Sequence, residues 1–319
     1  MIYDTIKDFP KQFEFEPKIE NAVNLRVKNK FVVCGMGGSN NASMIIKSWK
    51  PETTLVIHKD YGLPVEASSP DYLTICSSYS GTTEETIDSL KEALKNNLPV
   101  AVIATGGTII EIAKENNVPY VLIPKTGIQP RTALGYSLKS FLKLMFPEQE
   151  FPEVVELSRS LNSAPLEKEG KKLGETLKGF VPIVYASNKN LSIAYNWKIK
   201  MNETGKVPTF YNLIPELNHN EMNGFDVKEA TKELSNHFYF LLLSDSEDSP
   251  KIRRRMAVLE QLYKDRDLKV IVLNLHGDTR LLRIFNSILL ADWVSFYTSQ
   301  SLGLESEQVP MVEEFKKLI

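Results

Sequence analysis

The chain has 319 residues, 42% of them apolar, and a formal net charge of −2. That length suits two domains or one large one, and the apolar share supports a full core. The charge balance argues against a nucleic-acid partner, which is met by a basic excess. No apolar run approaches the roughly 18 residues of a membrane-spanning helix, so no membrane partner is expected. Residues 1–10 carry Asp4 and Asp8 and lack an apolar signal core. Cys34 and Cys76 both sit inside apolar runs and read as buried free thiols of a cytoplasmic protein.

The first half alternates strand and helix. Strands are predicted over residues 31–35, 54–58, 72–77, 100–104 and 120–123. Helical periodicity falls between them, over 42–49, 84–94 and 109–115, and a longer helix is predicted over 132–145. Short apolar strands alternating with helices imply a parallel sheet covered on both faces, with ligands beyond the carboxyl ends of the strands. Residues 146–152, with two prolines and a run of acids, read as a linker. The second half repeats the plan, with strands over 181–186, 238–243 and 270–275 and helices over 191–201 and 284–298. The expected division is therefore 1–150 and 151–319, in an α/β protein of two subdomains, each a mainly parallel sheet flanked by helices. Arg253, Arg254 and Arg255 form the densest basic spot, but Met256, Leu259 and Leu262 beside them keep helical spacing, so a solvated helix face is the reading there.

Five segments carry candidate chemistry. Gly35-Met36-Gly37-Gly38-Ser39 ends the first strand, and its glycines let a backbone approach a ligand closely. The dinucleotide spacing is not met, so the choice lies between a sugar-phosphate wall and a tight turn. Ser78-Tyr79-Ser80-Gly81-Thr82-Thr83 lies between a strand and a helix, where hydroxyls and free helix N–H groups suit a phosphomonoester; an ordinary N-cap cluster is the plainer alternative. It has no lysine of the Walker kind. Arg131 stands where a helix begins, fit either to hold an anion or to face solvent. Glu203 ends a mostly apolar helix, where a carboxylate opposes the dipole; this is either a functional base or a frayed end. His219, in Pro215-Glu216-Leu217-Asn218-His219-Asn220-Glu221, is the histidine best placed for proton transfer, against the alternative of a satisfied loop residue. His58 and His237 border strands and read as structural, and His276 as a loop residue. No His, Cys, Asp and Glu cluster has metal-ligand spacing, so no metal and no cofactor is expected.

Taken together, these segments resemble the sugar isomerase (SIS) fold and, within it, the bifunctional phosphoglucose/phosphomannose isomerases. Gly35–Ser39, Ser78–Glu84, Pro130–Arg131, Asn202–Pro208 and Pro215–Glu221 occur in that family's order. The resemblance implies a cofactor-free aldose–ketose isomerase acting on glucose 6-phosphate and mannose 6-phosphate through a cis-enediol. It implies that Gly37, Gly38, Ser39, Ser78, Ser80 and Thr83 bind the substrate. It makes Glu203 the base, Arg131 the stabiliser of the enediolate and His219 the ring-opening group, supplied across a homodimer. A C-terminal lysine completes the set, and Pro310 to Phe315 place it at Lys316 rather than Lys317. Two positions depart from the pattern: Thr82 replaces an Asn, and Glu307-Gln308-Val309 lacks a Thr associated with accepting both C2 epimers. A non-catalytic sugar-phosphate-binding protein, or an isomerase of another sugar phosphate, are the rival readings. A DNA-binding regulator is not expected, since roughly 30 residues before the first strand leave no room for such a domain. Nor is an amidotransferase, which would begin with a cysteine where this chain has Met1-Ile2-Tyr3.

Overall fold

A computed structural model of the chain describes residues 2–318. The chain divides into two compact units, Asp8–Ser160 and, discontinuously, Met1–Lys7 with Leu161–Ile319. The short opening helix α1 (Ile2–Lys7) thus belongs with the C-terminal half.

The Asp8–Ser160 unit runs β1 (Ile19–Glu20), β2 (Lys30–Cys34), α2 (Gly38–Trp49), β3 (Thr54–His58), β4 (Tyr72–Ser77), α3 (Glu84–Lys95), β5 (Val100–Ala104), α4 (Thr108–Glu115), β6 (Tyr120–Leu122), α5 (Leu134–Met145) and α6 (Pro152–Ser160). Its sheet has the order β1-β6-β5-β4-β2-β3, parallel apart from the antiparallel β1–β6 pair. Val32, Cys34, Cys76, Val102 and Ala104 bury one face against Leu90 and Ala93 of α3 and Ile109 and Ala113 of α4. Alternate residues Phe31, Val33, Leu73 and Ile75 are just as buried on the other face. Each such side chain contributes about 1.5–3 kcal/mol of burial. The order reverses between β2, which leads outward to β3, and β4, which leads the other way to β5. The crevice above that reversal is the place for a ligand.

The second unit runs α7 (Ser163–Thr176), β7 (Val181–Ser187), α8 (Leu191–Glu203), β8 (Phe210–Ile214), α9 (Glu221–Gly224), α10 (Lys232–Ser235), β9 (Phe238–Ser244), α11 (Pro250–Lys264), β10 (Lys269–Asn274), α12 (Arg280–Ser301) and α13 (Pro310–Leu318). Its four strands are all parallel, in the order β10-β9-β7-β8. Ile183, Tyr185, Phe240 and Leu242 pack against Met256, Leu259 and Tyr263 of α11. On α12, Trp293 meets Tyr3 of α1 edge-on, ring centroids 5.2 Å apart, and Ile6 of α1 is buried too. Two parallel-dominated sheets flanked by helices are the expected class.

Several elements differ in detail from the sequence expectation. The helix expected at 42–49 begins at Gly38, and the one expected at 132–145 begins at Leu134 after a separate 3-10 turn, Pro130–Thr132. Strand β8 and helices α6 and α7 were not anticipated. The segment read as a linker, 146–152, is anchored: Phe146 packs edge-on to Phe31 and Phe151, and Phe151 to Trp49. Both cysteines are buried and free, and Arg253, Arg254 and Arg255 lie on the exposed face of α11. Among the described residues no helix is long and apolar enough to cross a membrane.

Candidate functional site

In the Asp8–Ser160 unit three loops meet at the sheet's reversal point. The first is the turn from β2 into α2. Gly37, its N-cap, has φ +48°, a conformation that side chains avoid. Gly38 lies directly against the Pro130–Arg131 backbone: a Cβ there would sit 2.8 Å from Arg131 N. The second loop follows β4. Tyr79 N–H donates to Ser39 Oγ at 2.8 Å, and Ser77 Oγ donates to the Ser39 carbonyl at 3.0 Å, which ties the two loops together. The third is the 3-10 turn Pro130–Thr132. Arg131 on it is 1% exposed, so the surface alternative for this guanidinium is removed.

The hydroxyls of the second loop do different jobs. Ser78 is fully buried; its Oγ accepts from Gly81 N–H at 3.1 Å and Thr83 N–H at 3.4 Å and pairs with Thr83 Oγ1 at 2.8 Å. Ser78 therefore shapes the loop from within. Ser80 and Thr82 are exposed at its tip with their hydroxyls 3.0 Å apart. Gly81 has φ +77°, and a Cβ on it would lie 1.7 Å from the Gly106 carbonyl oxygen, so no other residue fits. Thr83 caps α3 without a side-chain bond to its N–H groups, and Glu84 and Glu85 stand in the helix's first turn. This set of hydroxyls and backbone N–H groups suits a phosphomonoester, with the Arg131 backbone packed against Gly38 at its edge.

The reversal point of the second sheet, between β7 and β9, has the opposite character. Arg280 donates to Asp245 Oδ2 at 2.8 Å and to Asn190 Oδ1 at 2.6 Å. Ser187 Oγ donates to Asp248 Oδ1 at 2.7 Å, and Lys189 Nζ pairs with Glu247 at 2.8 Å. Hydrogen bonds from Lys189 and Arg283 hold the Glu247 carboxyl down at about 2. This crevice is thus lined by paired charges, though Asp248 Oδ2 and Arg280 Nε have no hydrogen-bond partner, whereas the first is lined mainly by hydroxyls.

The remaining candidates lie in the second unit, on separate elements. Glu203 is the last residue of α8, half-buried. His219 ends the 3-10 turn Glu216–His219 and is exposed. Its segment is fixed from both sides. Leu217 is buried in the core, and the Glu221 carboxylate accepts from Tyr185 Oη at 2.5 Å and from Asn212 Nδ2. Burial raises the hydroxyl pKa values of Tyr185 and Tyr263, the latter to about 12, so both stay protonated beside Glu221. Lys316 is exposed on α13 and pairs with Glu313 at 2.8 Å; Lys317 is exposed beside it. The structure thus brings Gly37, Gly38, Ser39, Ser78, Ser80, Thr83 and Arg131 together, and leaves Glu203, His219 and Lys316 each on its own element. Sequence reasoning gave no role to Lys206, whose ammonium donates to the Glu203 carbonyl at 2.7 Å. The nearest signal for it was its place three residues past the helix-ending glutamate.

A family model described as the bacterial phospho-glucose isomerase C-terminal SIS domain matches residues 166–319. A bifunctional phosphoglucose/phosphomannose isomerase of Aquifex aeolicus is 32% identical, over 99% of this chain and 97% of that one. Another protein of that name, from Caldicellulosiruptor bescii, is also 32% identical, over 93% of this chain and 92% of its own. Among solved structures, glucosamine-6-phosphate deaminase from Thermotoga maritima superposes with a TM-score of 0.66 at 16% identity, covering 97% of this chain and 96% of that chain, a likeness of fold. Two relatives at that identity, matched over nearly their full lengths, place this chain in the bifunctional phosphoglucose/phosphomannose isomerase family.

Proposed function

We propose that this chain interconverts glucose 6-phosphate, and mannose 6-phosphate, with fructose 6-phosphate without a metal. The observation that carries the reading is the end-to-end likeness to relatives named for these two isomerisations. The neutral hydroxyl loop at the first reversal point supports a phosphate site there, with Ser39, Ser80, Thr83 and the Gly37–Gly38 backbone as its contacts and Ser78 holding their arrangement.

The chemistry is a proton transfer. His219 assists opening of the sugar ring. The Glu203 carboxylate removes the proton from C2, the electron pair forms the C1–C2 double bond, and the C1 carbonyl oxygen becomes the enediolate oxygen. Arg131 offsets that charge. Transfer of the O2 proton to O1 and return of the abstracted proton to C1 give the ketose. Exposure of His219 is compatible with service to a second copy, so the working form is proposed as a homodimer with Lys316 at the same site.

The test is a coupled assay in excess EDTA with each aldose phosphate, on the wild-type protein and on Glu203→Gln. Turnover of both substrates that is lost in Glu203→Gln supports the reading. No turnover of either substrate by the wild type would overturn it in favour of a binding protein or another sugar phosphate. Turnover of glucose 6-phosphate alone would refute the mannose activity and point to Glu307, Gln308 and Val309 as the specificity determinant.

A further inference from the structure

We infer that Lys206 is a positioning residue that ties the end of α8, and with it Glu203, to the turn leading into α13. This rests on the reading of Glu203 as the base. The last carbonyls of a helix have no partner within it and carry the negative end of its dipole. At α8 the main chain folds back after Glu203: Thr204 N–H and Gly205 N–H both donate to the Lys200 carbonyl, and Val207 N–H to that of Met201. Lys206 lies inside this reversal with φ +60°, a left-handed conformation that a lysine adopts at a cost and glycine adopts freely. A glycine would serve the backbone better, so the side chain has its own reason to be there.

That reason is visible at its ammonium. Nζ donates to the Glu203 carbonyl at 2.7 Å and also to the carbonyl of Gln308, 102 positions along the chain. The acceptor turn is itself rigid. Glu305 accepts from the N–H groups of Glu307 at 2.6 Å and Gln308 at 2.7 Å. Ser306 is buried and bonded to Ser299 at 2.8 Å and to Gln300 at 3.2 Å, both on the last turn of α12. Lys206 therefore links the carboxylate-bearing end of α8 to a turn moored on α12, two residues before the helix that carries Lys316. Base and C-terminal lysine share one mooring.

The experiment compares Lys206→Gly and Lys206→Met with the wild type. Three readouts are taken: kcat and KM for glucose 6-phosphate, Tm, and amide hydrogen exchange over residues 305–309. Expected is a fall in kcat of about tenfold or more in both variants, with KM within about twofold, as a small displacement of a reacting group produces. Lys206→Gly should keep or raise Tm because it removes the left-handed strain. Exchange over 305–309 should quicken about tenfold in Lys206→Met as the tether is lost. A kcat within twofold of wild type in Lys206→Gly, a loss of kcat matched by a loss of Tm, or unchanged exchange would each overturn the inference. If the wild type turns over no sugar phosphate, the isomerase reading fails, while the exchange measurement still decides whether the tether exists.

Discussion

Replacing Gly38 by alanine tests the first crevice at its tightest point. The added methyl would stand 2.8 Å from Arg131 N, 2.8 Å from the Pro130 carbonyl carbon and 3.0 Å from its oxygen, against the 3.4 Å at which ordinary contact begins. All three obstacles are backbone, so no side chain can swing aside. The Pro130–Arg131 turn must retreat by about 0.6 Å, the difference between those distances. Overpacking of this kind costs about 1–3 kcal/mol, and Tm falls by about 2–4 °C for each of those in a domain of this size. The larger effect is on catalysis. Misplacing a catalytic group by about 1 Å costs on the order of a hundredfold. A shift of 0.6 Å at Arg131 should therefore lower kcat/KM about tenfold for both aldose phosphates. The coupled assay measures this directly, with scanning calorimetry to show that the protein remains folded. A Gly38→Ala variant with kcat/KM within twofold of wild type would refute both the close approach and the role given to Arg131.

Three other expectations follow from particular contacts. Lys200 and Asp292 form a 2.6 Å ion pair with both side chains almost wholly buried, so Asp292→Ala should lose about 3–5 kcal/mol in urea unfolding, while Lys200→Met with Asp292→Leu recovers most of it; a loss below about 1 kcal/mol in the single variant contradicts this. Ser78→Ala strands the Gly81 and Thr83 N–H groups and should cost about 1–3 kcal/mol of stability. Ser80→Ala should instead raise KM with Tm unchanged, and the opposite pattern would exchange their roles. The Glu247 carboxyl is depressed from 4.5 to about 2, so its contribution is present above about 4.5 and is lost as pH falls through about 2. Glu247→Gln should thus be less stable than wild type at pH 7, with the gap closing between those values; a gap independent of pH would show that the ion pairs with Lys189 and Arg283 do not form in solution.

What was legible in the sequence was local. The apolar run of β4, Gly81 and the spacing of Ile87, Leu90 and Leu94 marked strand, turn and helix because each signal acts within a few residues. The candidate loops could be named for the same reason. Phe210-Tyr211-Asn212-Leu213-Ile214 was missed as strand β8 because an asparagine breaks its apolar run and it pairs only on one side. No local pattern could reveal that Gly38 touches Arg131, since 93 positions separate them. Nor could it divide the hydroxyls of Ser78 and Ser80, two residues apart, into one buried inside the loop and one exposed at its tip. The left-handed backbone at Lys206 was equally hidden, because lysine gives no hint of it.

Helix α1 is synthesised long before the helix it packs on. Tyr3 and Ile6 have no place to rest until Trp293 and its neighbours on α12 exist, on the order of 300 residues later. At about 5–20 residues per second, that is a wait of roughly 15–60 s. Meanwhile the whole of Asp8–Ser160 is synthesised and has the contacts to fold as a unit. Through that interval the apolar side chains of α1 are without the surface that buries them, and its docking must wait for α12.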